Sequence, residues 1–307
     1  MCCLFGILDY GNTLTVRQRT KILSILASSC EVRGTDATGI AYNTDSHLTI
    51  YKRPKIAHKM WFRLPVDANV IMGHTRMTTQ GNAKFNQNNH PFYGKAGIAE
   101  FALAHNGMLM NDDELQKKYC LPKTNIETDS YVAVQLLERQ TDLSFESMAK
   151  VAEELEGSFT LSILDNANNV YFIKGNNPLC LYYWRERNLY IYASTEEILK
   201  SAIARIPYNF GTAERIEINE GDMMKISPNG ARETAQFSLQ NLYAYEYYGY
   251  PYSRYLYDWY DEPKSYKDTL KSMAQTFGYT SEDVDALLAD GFTLEDIEDL
   301  FYEGALC

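Results

Sequence analysis

The first seven residues, Met1-Cys2-Cys3-Leu4-Phe5-Gly6-Ile7, are where this sequence offers chemistry most directly. A cysteine directly behind the initiator methionine becomes N-terminal once that methionine is removed, and removal is expected beside so small a side chain. One residue then carries a thiol nucleophile and, in its own α-amino group, a base whose ordinary pKa of about 7.7–8.0 suits proton transfer near neutral pH. Taken alone, the Cys-Cys pair reads equally as buried cysteine opening a strand, or as a lipidation site.

Other residues along the chain fit such a centre. Arg33-Gly34-Thr35-Asp36-Ala37-Thr38-Gly39 is a charged, glycine-rich loop running into an apolar strand; its glycines let backbone pass close to an active centre, and Arg33 and Asp36 can fix it by hydrogen bonds. Val70 to Gly81 reads as a strand entering a polar loop, with Arg76 able to grip a carboxylate through two parallel hydrogen bonds. The polar run Asn86 to Phe92 ends at a proline. Phe101–Ala104 is a short strand ending in His105-Asn106-Gly107, an amide and a backbone N–H side by side, the donors an oxyanion hole needs. An Asn-Gly pair is also a common turn. Thr128-Asp129-Ser130 opens a helix, where Asp129 can be a cap and nothing more.

The elements that position these residues follow from pattern. Residues 2–9 read as a buried strand, Arg17–Cys30 as a helix with Ile22, Leu23, Ile25 and Leu26 on its apolar face, Tyr131–Gln140 and Phe145–Leu155 as a helix pair. Strands follow at 158–164, 170–174, 180–184 and 189–193, then a short helix at 195–204 and strands at 215–218 and 222–226. A helix pair between runs of strands predicts antiparallel sheets covered by helices, an α+β fold. Asn241–Tyr260 holds nine tyrosines and reads as an extended connector. Beyond Pro263 the pattern is helical at 266–277, 284–289 and 294–302, with capping-box spacing in Thr280/Asp283 and Thr293/Asp296. The expected organisation is a domain over 2–236, a tyrosine-rich connector over 237–263 and a small acidic helical unit over 264–307.

Composition narrows the classes. Six cysteines without paired spacing point to a reducing, cytoplasmic setting, and no apolar run reaches membrane-spanning length. The net charge of −11 argues against non-specific nucleic-acid binding; residues 261–307 carry −9 of it and the rest only −2.

Together these blocks resemble, in order, the glutaminase domain of class II glutamine amidotransferases, members of the N-terminal nucleophile hydrolases, with the glucosamine-6-phosphate synthase branch nearest. The resemblance covers roughly residues 2–228 and rests on Cys2 to Gly6, Arg33 to Gly39, Gly73 to Gly81, His105 to Gly107 and Thr128-Asp129, with Asn86 to Phe92 and Glu220-Gly221-Asp222 as weaker members. It implies a four-layer αββα sandwich with a small C-terminal helical appendage, and hydrolysis of the glutamine side-chain amide through a Cys2 thioester without metal or cofactor. It makes Cys2 the nucleophile and its α-amino group the base, Asn106 and Gly107 the oxyanion hole, Arg76 and Asp129 the readers of the α-carboxylate and α-ammonium, Thr79 a further pocket contact and Arg33 a brace beside the N-terminus. Cys3 departs from the family's usual Gly, and Met77 and Gln80 from the Trp and His of the nearest branch. No phosphosugar isomerase domain, phosphoribosyl-pyrophosphate loop or pyrophosphatase motif is present, so ammonia is expected to go to an acceptor synthase or other partner docked by the acidic tail. Two other readings stand beside this one: an N-terminal cysteine hydrolase of different amide specificity, and a non-catalytic glutamine sensor or scaffold.

Overall fold

The computed structural model describes residues 2–45, 47–242, 271, 279–292 and 297. The chain divides into two units, Met1–Tyr247 and Tyr248–Cys307. Among its described residues, the first holds thirteen strands in two antiparallel sheets. β1 (Cys3–Asp9), β2 (Ala37–Thr44), β3 (His47–Arg53), β4 (Val70–Arg76), β9 (Cys180–Trp184), β10 (Leu189–Ala193) and β11 (Glu214–Ile216) form one, in the order β11-β9-β10-β1-β4-β2-β3. β5 (Phe92–Ala96), β6 (Ala99–Leu109), β7 (Gly157–Asp165), β8 (Val170–Lys174), β12 (Asp222–Ile226) and β13 (Arg232–Gln236) form the other, in the order β13-β12-β8-β7-β6-β5.

The period of two in β1 explains the layering. Cys3, Phe5 and Ile7 face one way and pack with Ile22, Leu23 and Leu26 of α1 (Val16–Ser29) and Leu199 and Ala202 of α5 (Glu196–Arg205). Leu4 and Leu8 face the other way, into a second core shared with Ala102, Ala104, Leu164 and Phe172 of the opposite sheet. On that sheet's far side Leu103, Leu161 and Ile163 pack against α3 (Tyr131–Glu138) and α4 (Phe145–Ala152), with Leu115 of α2 (Asp112–Lys118) beside them. Helices, sheet, sheet, helices: these are the four layers of an αββα sandwich. A strand buried on both faces cannot alternate polar and apolar residues, which is why β1 reads as a continuous apolar run. α1 begins where Thr15 and Gln18 form a reciprocal capping box, one residue before the start expected from sequence.

The body continues past β13: Phe237 stacks on Phe159 at 6.0 Å and Leu242 is buried with it. In the second unit the described helix α6 (Ser281–Ala289) starts on the anticipated Thr280/Asp283 capping box. The expected helices at 266–277 and 294–302, the Thr293/Asp296 box and most of the tyrosine-rich stretch lie outside the described residues. No helix among the described residues is long and apolar enough to cross a membrane.

Candidate active site

Register brings the sequence blocks to one end of the first sheet. Cys3 pairs with Thr75, and Ala37 with Arg76, so the start of β1, the end of β4 and the loop before β2 converge. Gly34 makes the convergence possible: a Cβ there would lie 2.6 Å from the Arg76 carbonyl carbon. Across that loop the Asp36 amide donates to the Arg76 carbonyl at 2.9 Å, and the Asp36 carboxylate accepts from the Thr78 amide at 2.7 Å. Arg33 Nε donates to the Cys2 carbonyl at 3.0 Å. Arg33 therefore braces the backbone of Cys2 and does not line the pocket beside it.

That pocket is narrow. Cys2 meets Arg76 and the following loop residues Met77, Thr79 and Gln80 on one side, and His105, Gly107, Thr128, Asp129 and Ser130 on the other, with His90 at the back. The free volume between them is about 10 Å³, roughly one water. Gln80 bridges its mouth, accepting from the Asp129 amide at 3.2 Å and donating to Asp112 at 3.3 Å.

The Cys2 thiol lies 3.5 Å from the Met77 carbonyl, and burial raises its pKa, opposed by the Met77 backbone and the Arg76 charge. A thiol held protonated in this way needs a base at the moment of attack. Arg76 is buried, donating from Nη1 to Asn89 Oδ1 at 2.7 Å and from Nη2 to the Gln80 and Gly81 carbonyls at 2.6 and 3.5 Å. Asp129 is buried as well, accepting at Oδ2 from the Leu109 amide at 2.6 Å, with Ser130 Oγ 3.2 Å from Oδ1. Among the described residues no carboxylate stands within ion-pair distance of Arg76 and no cation within that distance of Asp129. Asp129 does not cap α3; its side chain reaches across to β6 instead, and the N-cap residue Ser130 makes no side-chain capping bond.

Asn106 and Gly107 are not at a strand end as their sequence suggests. Both lie inside the eleven-residue β6, opposite Thr160 and Phe159. Gly107 has φ +146°, and a Cβ on it would sit 1.9 Å from the Ser158 carbonyl oxygen, so only glycine keeps the strand in place here. The Asn106 side chain is fully buried, with neither its oxygen nor its nitrogen partnered. A buried amide that satisfies nothing is rare; Gly107 lines the pocket beside Cys2, and Asn106 is not among its lining residues.

Three buried imidazoles cluster here, His90 and His105 lining the pocket and His74 next to His90. His74 lies 4.2 Å from His90, ring to ring, and its Nε2 donates to the His105 carbonyl at 2.9 Å. Burial lowers all three pKa values, that of His74 to about 3. Lys52 Nζ holds the loop carrying His90, donating to the Asn89 and Pro91 carbonyls, and burial brings its pKa down to about 8. Of the pocket-lining residues, Met77, Gln80, His90, His105, Thr128 and Ser130 have no catalytic or binding role in the sequence reading. Each sits within or next to a quoted block, which is the only signal the sequence holds for them.

Comparison with known proteins bears on the fold and on the family. Residues 74–201 match the glutamine amidotransferase domain family. Glutamine–fructose-6-phosphate aminotransferase [isomerizing] of Staphylococcus aureus is 33% identical over 190 residues, 59% of this chain and 30% of its own length. The Staphylococcus epidermidis protein of that name is 32% identical over 188 residues, 58% of this chain and again 30% of its own. The chain thus matches under a third of the length of these curated relatives. Two solved structures share the fold: glutamine phosphoribosylpyrophosphate amidotransferase from B. subtilis, with a TM-score of 0.59 at 20% identity over 78% of this chain and 50% of that one, and an allosteric regulatory enzyme of purine biosynthesis, with a TM-score of 0.62 at 21% identity over 78% and 49%. The fold is therefore that of the N-terminal nucleophile hydrolases. Within that fold, residues 74–201 carry the match to the glutamine amidotransferase domain family, in keeping with the class II resemblance of the sequence blocks.

Proposed function

We propose that this protein hydrolyses the side-chain amide of L-glutamine to glutamate and ammonia with Cys2 as nucleophile. The observation that carries the reading is the pair of buried, opposite and mutually unpaired charges of Arg76 and Asp129 in one pocket with a thiol. An uncompensated buried charge costs on the order of 3–5 kcal/mol. An α-amino acid head group, carboxylate to Arg76 and ammonium to Asp129, neutralises both at once. It leaves the side-chain amide to reach Cys2.

Removal of Met1 frees the α-amino group of Cys2, which takes the thiol proton as sulfur attacks the amide carbon. Asn106 and the Gly107 N–H stabilise the oxyanion, ammonia leaves with the returned proton, and a thioester remains. Water attacks the thioester, the amine again acting as base, and glutamate departs with the thiol restored. Thr79 contacts the bound glutamine, and Arg33 keeps the Cys2 carbonyl from drifting. Entry of the substrate requires Met77, Thr79 and Gln80 to part from the opposite wall, because the closed pocket admits only about one water.

We place this chemistry in the cytoplasm, in keeping with free Cys2, Cys3, Cys30, Cys120 and Cys180. The ammonia passes to an acceptor on another chain, with residues 261–307 and their −9 charge as the docking segment. The test combines intact mass with ammonia release from glutamine. A mature chain lacking Met1 that releases ammonia, and a Cys2→Ala chain that does not, support the reading; full activity with Met1 retained defeats it. Deleting 261–307 should leave hydrolysis intact and abolish salt-sensitive capture of a basic-surfaced synthase. Unchanged capture removes the docking role.

A further inference from the structure

Ser130 is buried and lines the pocket, yet its hydroxyl stands between two groups that cannot both use its hydrogen. Its Oγ lies 2.7 Å from His105 Nδ1 and 3.2 Å from Asp129 Oδ1. A serine hydroxyl donates once and accepts twice. Which neighbour receives the hydrogen depends on His105.

His105 is buried, and burial holds its pKa below the ordinary value, so its ring is neutral and carries a single N–H. Ring Nε2 faces the Ser158 carbonyl oxygen at 3.3 Å. A carbonyl oxygen only accepts, so that single hydrogen sits on Nε2 and Nδ1 presents a lone pair. The Ser130 hydrogen then goes to Nδ1, which is also the shorter contact. Donation to Nδ1 takes the Ser130 hydrogen out of the 3.2 Å contact with Asp129 Oδ1, toward which Oγ then turns a lone pair. Asp129 Oδ2 is already engaged by the Leu109 amide at 2.6 Å, which leaves Oδ1 for a ligand. Two acceptors at 3.2 Å in a buried pocket repel until a donor enters between them, and an ammonium has three N–H groups to offer.

We propose that Ser130 is a second acceptor for the substrate α-ammonium, beside Asp129 Oδ1, and that His105 is the positioning residue that makes it one. This rests on the head-group reading given above. Ser130 thereby adds discrimination for an α-amino group, in place of a local hydrogen bond at the start of α3.

The test compares L-glutamine with 4-carbamoylbutanoate, the same molecule without its α-amino group. Ser130→Ala should lower kcat/KM for glutamine by roughly 10- to 100-fold, mainly through KM, as loss of a hydrogen bond to a charged group implies. The des-amino substrate should change by no more than about two-fold. Ser130→Thr, which keeps the hydroxyl, should recover most of the ratio, and His105→Phe should repeat the selective loss. Calorimetric binding of L-glutamate against glutarate to Cys2→Ala, with and without Ser130→Ala, gives the same ratio without turnover. An unmoved ratio, or equal losses for both compounds, overturns the proposal whether or not His105→Phe folds. Asp129→Ala separates the two levels. If it collapses the ratio while Ser130→Ala does not, only this inference fails; if neither moves it, the head-group reading fails with it.

Discussion

Replacing Arg76 with lysine tests the head-group reading at its centre, because it keeps the charge and removes the geometry. A guanidinium has five N–H groups. Nη1 donates to Asn89 Oδ1 and Nη2 to the Gln80 and Gly81 carbonyls in this structure, which leaves Nε and the second Nη1 hydrogen for a substrate carboxylate. Lysine offers three donors on one nitrogen, which cannot both hold the two loops and grip a carboxylate twice. Losing one charge-assisted hydrogen bond costs about 1.5–3 kcal/mol, so KM for glutamine should rise roughly 10- to 150-fold. Asn89 is fully buried, and a stranded Oδ1 there should cost a further 1–3 kcal/mol of stability, about 2–10 °C in Tm for a body of this size. The kcat should hold within a few-fold, since the head group is bound alike in ground and transition states. Ammonia release across a wide range of glutamine concentrations, with a melting curve on the same sample, reads all three quantities. If kcat falls as far as kcat/KM while KM stays put, Arg76 acts on the reacting amide and the assignment is wrong.

Asn106→Ala should lower kcat by about 10²–10³-fold with little change in KM, measured by steady-state ammonia release; a pure KM effect would move Asn106 out of the oxyanion hole. Gly107→Ala, which sets a Cβ 1.9 Å from the Ser158 oxygen at φ +146°, should lower Tm and abolish activity together, and a wild-type melting curve refutes that geometry. Cys3→Ala should retain much of the activity that Cys2→Ala loses, because Cys3 faces the core beneath α1. The buried histidines predict acid sensitivity. Their folded pKa values lie below the ordinary 6.5, to about 3 for His74, so the unfolded chain takes up protons first and stability falls as pH drops below about 6.5. Each imidazole contributes up to ~1.4 kcal/mol per pH unit. Urea unfolding between pH 6.5 and 5, where most carboxylates stay ionised, should show that slope, and a flat profile contradicts three neutral buried rings.

The fold was legible wherever a segment is buried and regular. β1, α1, α3, α4 and β7 to β10 announce themselves by apolar pattern, and their order between helices already implies antiparallel sheets. What the pattern missed lies at the margins. β3 and β5 are the outer strands of their sheets, and β13 closes the far edge of the second. β3 is half-exposed along its length and β13 (RETAQ) is almost wholly exposed, so neither carries an apolar signature. α2 (DDELQKK) buries only Leu115 and reads as a charged loop.

The site was legible in residue type and hidden in orientation. Arg76, Asn106, Gly107 and Asp129 stand out because their chemistry suits a substrate, yet a sequence does not say which partner already holds them. Asp129 looked like a helix cap because an acid before a helix usually is one; only the fold, by bringing the Leu109 amide of β6 to its Oδ2, draws it away from the helix. Asn106-Gly107 looked like a turn because that dipeptide usually is one; pairing with Thr160 and Phe159 carries the strand straight through it. In both cases a local preference was overridden by long-range pairing between β6 and its neighbours. The same strand carries His105, whose ring nitrogens face Ser130 and Ser158, residues 25 and 53 positions away. A proton chain assembled across such distances leaves no spacing to read, so the groups that tune the site are invisible in sequence even where those that make up its charges are plain.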